Sequence, residues 1–227
     1  MKKVAIFDVD GTIFRSSLLI ELVEALIDQN LFPESSRAIY ERQQRKWLDR
    51  KGDYDAYIMA VVKAFERDVK GVYYGDFADV AEAVVAHHKD RVYRYTRDLI
   101  KELKRKKYYL LAISQSPKTA LESFCKHLGF NKVYGRIYEI GPEDRFTGHI
   151  SDLHLIANKA NIVRRAVEKE NLTLKGSVGV GDTEGDISFL EITENPIAFN
   201  PNQKLYRHAK RLKWKVVVER KDVIYEL

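Results

Sequence analysis

The chain has 227 residues, 45% of them hydrophobic and 32% charged, which suits one core domain with a modest insertion and excludes a disordered chain or two full enzyme domains. It contains no apolar run long enough to span a bilayer and no cleavable leader, and its one cysteine, Cys125, rules out an internal disulfide, so a cytoplasmic protein with no membrane partner is expected. The net charge of +6 gathers in Arg42–Lys51 and Lys204–Lys215, but both runs carry apolar residues at helical spacing (Trp47, Leu48, Leu205, Leu212); they read as solvated helix faces, and no nucleic-acid partner is expected.

In chain order, residues 3–8 read as a buried strand that ends on a carboxylate, Asp8. Residues 16–89 then show only helical periodicity, at 16–29, 34–50, 54–68 and 76–88. Helices at 94–106, 117–128, 159–170 and 185–192 alternate with short apolar strands at 108–113, 177–180 and 196–199, and 132–150 alternates like a β-hairpin. Cys125 lies beside Phe124 and Leu128 in an amphipathic stretch and reads as a core residue. Alternating strands and helices predict an α/β fold whose parallel sheet is covered on both faces. Ligands of such sheets bind beyond the carboxyl ends of the strands, where Asp8, Ser114 and Asp182 fall.

Four short motifs carry chemistry. Asp8-Val9-Asp10-Gly11-Thr12 places two carboxylates on one side of a strand end, one suited to nucleophilic attack and the other to moving a proton; Gly11 lets the chain turn closely around an anion. Ser114 follows an apolar strand and precedes a helix that has Pro117 in its first turn, so its hydroxyl can donate to a phosphate oxygen. Lys159 sits in the first turn of a helix, against the helix dipole, and a nearby anion would resolve that conflict. Finally, Gly181-Asp182 ends a strand and Asp186 follows at a helix start. Asp182 would bind magnesium, while Asp186 would hold a metal-bound water or orient the loop. The glycine spacing here does not fit dinucleotide binding.

With these motifs in this order, the chain resembles the haloacid dehalogenase superfamily, specifically its phosphoserine-phosphatase-like branch with a helical cap. The resemblance implies a Rossmann-like core over residues 1–14 and 90–227, an all-helical cap over 15–89, and a small hairpin at 132–150. It further implies a magnesium-dependent phosphatase acting on a small phosphorylated metabolite. Asp8 would form an aspartyl-phosphate, and Asp10 would serve as acid and base. The metal would lie on the carboxylates of Asp8 and Asp182 and the carbonyl of Asp10, and Ser114, Lys159, Gln115 and Gly11 would bind phosphate. The chain departs from phosphoserine phosphatases at Arg15-Ser16-Ser17, where they carry a glutamate that grips the substrate ammonium, and at Gln115 and Gly185. Arg15 suggests a substrate with an extra anionic or polyhydroxyl group. A phosphotransferase or a phosphoserine phosphatase proper, and more remotely a phosphate-binding protein without catalysis, stay open, as does a homodimer.

Overall fold

The computed structural model describes residues 1–151 and 158–227. Strand β1 (Lys2–Asp8) is followed by helices α1 (Leu18–Asp28), α2 (Arg37–Leu48), α3 (Tyr54–Asp68), α4 (Tyr74–His88) and α5 (Arg94–Arg105). Next come β2 (Tyr109–Pro117), α6 (Lys118–Leu128), β3 (Lys132–Ile140), β4 (Phe146–Ser151) and α7 (Lys159–Lys169). The chain continues through β5 (Leu172–Gly181), α8 (Ile187–Leu190), β6 (Asn195–Phe199), α9 (Gln203–Arg211), β7 (Lys215–Arg220) and β8 (Val223–Glu226). Contacts divide these elements into two compact units. One comprises Met1–Ser16, Lys89–Arg136 and the described part of Asp152–Leu227; the other comprises Ser17–His88 and Ile137–Ser151.

The first unit is a sheet in the order β3-β2-β1-β5-β6-β7-β8, parallel except for the terminal β7–β8 pair. Val4, Ala5, Ile6 and Phe7 of β1 are all fully buried. A central parallel strand with both faces covered needs a continuous apolar run, which is what the sequence carries. Ile6, Leu111 and Ile113 of the sheet share a core cluster with Ile162, Val163 and Ala166 of α7 and Leu205 and Ala209 of α9. The strand order reverses between β2 and β5, on either side of β1, which makes the carboxyl end of β1 a topological switch point.

Several boundaries differ from the sequence expectation. β2 runs on to Pro117 because Ser114 and Ser116 are polar but buried, so hydropathy alone ends the strand too early. Helix α6 accordingly starts at Lys118, with Pro117 as its N-cap. The 185–192 helix is a 3-10 turn over Glu184–Asp186 followed by the single turn of α8. Strands β7 and β8 were not anticipated, since Val216 and Val217 are buried but stand among charged residues.

The second unit is built on α1, α3 and α4. Leu18, Leu22, Val23 and Leu26 of α1, Val61, Ala64 and Phe65 of α3, and Phe77, Val80 and Ala81 of α4 recur at helical spacing and are buried. Asp53 caps α3 by accepting the Ala56 N–H at 2.6 Å. Tyr40 and Tyr57 are also buried, so these two aromatics belong to the interior of the unit.

The sequence reading counts the whole hairpin with residues 90–227, whereas contacts group Ile137–Ser151 with the inserted helices. Two aromatic residues explain this. The Tyr138 ring lies 4.9 Å from that of Phe65, and the Phe146 ring 5.0 Å from that of Phe77. The Phe146 backbone also exchanges hydrogen bonds with the 71–72 turn, accepting from Gly71 at 2.8 Å and donating to Val72 at 3.0 Å. Phe146→Ala should therefore destabilise this unit by about 3–5 kcal/mol. Denaturant unfolding with amide exchange would check it, with exchange at Gly71 and at residue 146 expected to accelerate; unchanged protection there would contradict the packing role.

Candidate active site

The loop after β1 is shaped by its own backbone. The Val9 carbonyl accepts the N–H groups of Ile13 and Phe14, both at 2.9 Å, which turns the chain back at once beyond Asp8. Gly11 has φ +79°, and a Cβ there would stand 2.2 Å from Asp182 Oδ2, so the position excludes side chains on two counts. Its N–H donates to the carbonyls of Phe14 and Ser16 at 3.0 Å each. Phosphate binding is expected at Gly11; its N–H serves the loop, and its missing side chain leaves room for Asp182. Thr12 ties the same loop to Asp182 through Oγ1, which donates to Oδ1 at 3.0 Å.

Two strands, a 3-10 turn and one helix bring the charged groups together. Asp8 ends β1, Asp182 follows β5, Asp186 closes the 3-10 turn after it, and Lys159 opens α7. The Lys159 ammonium donates to Asp8 Oδ1 at 2.6 Å and to Asp186 Oδ1 at 2.5 Å. Asp186 Oδ2 accepts the N–H groups of Asp182 and Thr183, each at 3.0 Å. Both Asp186 oxygens are thus engaged in holding Lys159 and the 182–183 backbone. Asp8 and Lys159 are buried and Asp186 fully so.

Asp10 faces a different pair of partners. Its Oδ2 accepts hydrogen bonds from the hydroxyls of Ser114 and Ser116, the latter at 2.9 Å. Sequence reasoning named Ser114 and missed Ser116, although a spacing of two along a strand puts both hydroxyls on one face. Gln115 between them is exposed, and its Oε1 accepts from Arg136 at 2.7 Å. Phosphate binding is expected at Gln115 too, and strand alternation turns its side chain away from the serines. Arg15 is exposed as well, its guanidinium 5.8 Å from the centroid of the Tyr93 ring, and it is not among the groups that converge on Asp8.

The electrostatics follow from crowding. Burial, reinforced by Asp186 and Asp10 against the opposing pull of Lys159, pushes the Asp8 carboxyl up to about 7. Loss of solvent, then Asp8 and Asp186, raise Asp182 well above the carboxylate range. For Lys159 burial acts downward, but Asp186 and Asp8 more than reverse it, so the ammonium stays charged. Cys125 is fully buried, and burial first, then Asp10 and Asp8, holds it as a thiol, in keeping with a core residue.

Carboxylate oxygens of Asp8, Asp182 and Asp186 lie within 4.8 Å of one another. Three carboxylates against one ammonium leave excess negative charge on an all-oxygen donor set, which fits a hard divalent cation such as magnesium. Of the three, Asp186 has both oxygens engaged by Lys159 and the 182–183 backbone.

A protonated Asp8 contributes its full stability below the unfolded value of about 4. That contribution is lost as pH rises through the folded value of about 7. Asp8→Asn fixes the neutral form, so without divalent cations its melting temperature should gain on wild type progressively across that window. Melting curves at several pH values check this, and a pH-independent difference would contradict it.

Comparison with known proteins places this geometry. A histidinol-phosphatase of Neisseria meningitidis serogroup C (strain 8013) is 23% identical over 225 residues, 96% of this chain and 99% of that protein. A phosphoserine phosphatase of Archaeoglobus fulgidus is 25% identical over 205 residues, 90% of this chain and 54% of the relative. Among solved structures, a protein of unknown function from Bordetella pertussis Tohama I aligns with TM-score 0.71 at 16% identity, over 95% of this chain and 98% of that one. A phospho-aspartyl intermediate analogue of phosphoserine phosphatase aligns with TM-score 0.62 at 20% identity, over 97% and 95%. These likenesses agree on the fold, and the model of one family matches residues 5–191. The chain belongs to the haloacid dehalogenase-like hydrolase family.

Proposed function

We propose that this chain is a magnesium-dependent phosphatase that hydrolyses the phosphate monoester of a small metabolite through an aspartyl-phosphate on Asp8. The observation that carries the reading is the contact of the buried Asp8 carboxylate with the Lys159 ammonium at 2.6 Å, two residues before a second carboxylate. The names of the Neisseria and Archaeoglobus relatives support the same chemistry.

Asp8 attacks phosphorus in line as the bond to the leaving oxygen breaks, and Asp10 supplies the proton that this oxygen needs. Lys159 and the Ser114 hydroxyl stabilise the phosphoryl oxygens during transfer. Asp10, now a carboxylate, takes a proton from water as the water attacks the aspartyl-phosphate, which releases phosphate and restores Asp8. A magnesium ion held by the Asp8 and Asp182 carboxylates and the Asp10 carbonyl would supply positive charge against the same oxygens. No helix among the described residues is long and apolar enough to cross a membrane, and a cytoplasmic location is part of the proposal.

An aryl phosphate assay with magnesium, with EDTA, and with Asp8→Asn tests the reading. Turnover is expected only in wild type with magnesium. Activity that survives Asp8→Asn would remove the nucleophile. A folded wild type inactive on a broad panel of phosphate monoesters would remove the phosphatase.

A further inference from the structure

We propose that Ser116 is a positioning residue for Asp10, holding its carboxyl in place to deliver a proton to the leaving group. This rests on the phosphatase reading and adds a part to it. Ser114 and Ser116 are both buried, at 1% and 3% exposure, on one face of β2. Both donate to the same atom, Asp10 Oδ2. The Ser116 N–H also donates to Ser114 Oγ at 2.9 Å. The strand is irregular here: pairing with β3 passes from Ile113–Tyr134 to Pro117–Arg136, so four steps along β2 match two along β3. Irregularities of this kind re-aim side chains and are common beside active sites.

A serine hydroxyl has one proton to donate. In the proposed reaction Ser114 gives that proton to a phosphoryl oxygen and must release Asp10 when substrate binds. Ser116 still donates to Oδ2 and holds the Asp10 carboxyl, with its acidic proton, towards the leaving oxygen. As the Asp8–phosphorus bond forms and the ester bond breaks, that proton passes to the departing alkoxide and leaves Asp10 ionised. Water returns a proton to Asp10 in the second step, so the cycle closes without another reactant.

The test exploits the leaving group. Benzyl phosphate releases a strongly basic alkoxide that needs the proton, whereas 4-nitrophenyl phosphate releases a weakly basic phenoxide that hardly does. Correctly placed general acids contribute about 10²–10⁴-fold. Ser116→Ala should therefore lose about 30-fold in kcat on benzyl phosphate and less than about threefold on 4-nitrophenyl phosphate, with KM little changed on either. Ser116→Thr, which keeps the hydroxyl, should restore the benzyl rate. Should the alanine variant fail to fold by circular dichroism, Ser116→Cys, close in shape and a poor donor, is expected to show the same selective loss. Equal losses on both esters, no loss on either, a threonine variant as slow as alanine, or a chain that cannot fold without the hydroxyl would each overturn the role. A wild type that turns over neither ester, nor any of a broad panel of phosphate monoesters, would remove the phosphatase reading and this role together. An active wild type with unselective variants removes only the role of Ser116.

Discussion

Three carboxylates gathered around one buried ammonium is the interaction on which the rest of the molecule depends. Taking such charges out of water costs several kcal/mol per ion unless each finds close partners. Lys159 meets Asp8 and Asp186 at 2.6 and 2.5 Å, and Asp186 is further held by two backbone N–H groups. Each contact comes from a different part of the chain, so the sheet must bring the ends of β1 and β5 and the start of α7 to one place. The all-apolar β1 and the reversal of strand order beside it meet that requirement. Burial first, and the neighbouring carboxylates after it, raise the Asp8 and Asp182 carboxyls. A cation is the kind of ligand that such a cluster accommodates.

The parts that sequence made legible are those governed by local rules. A run such as Val4–Phe7 has one sensible reading, and a carboxylate at its end must emerge at the sheet edge. Lys159 announced itself through a local conflict, a cation in the first turn of a helix, and two buried carboxylates supply its resolution. What could not be read depends on partners distant in sequence. Nothing near Phe146 says that Phe77 will meet it, so the hairpin was assigned by chain position. Gly11 reads as a close turn around an anion, but the carbonyls that accept its N–H, Phe14 and Ser16, are recognisable only once the loop has closed. Ser116 and Gln115 were separable by strand alternation alone, but the apolar run ended at Ile113 and the alternation was not carried past it.

The basic balance of the chain belongs mostly to its surface. Arg45 pairs with Glu41 one helical turn away, Lys106 with Glu102 and Lys215 with Glu226, all on exposed side chains. Pairs of this kind contribute about 0–1 kcal/mol each and are screened by salt. They keep the surface mixed in sign, and the large energetic stakes stay with the few charges at the sheet edge.

The linkers that bound the helical insertion have a consequence of a different kind. The Arg15 N–H donates to the Arg91 carbonyl at 2.9 Å, and the Tyr93 N–H to the Ile13 carbonyl at 3.0 Å. The chain therefore leaves and re-enters the sheet-bearing unit at one hydrogen-bonded gate, whatever lies beyond it. Loop-closure cost grows only slowly with length, so a longer, shorter or unrelated insert between the same two ends would disturb the carboxylates little. For an evolving lineage that is a socket: the insert can be exchanged while the residues at the sheet edge keep their places.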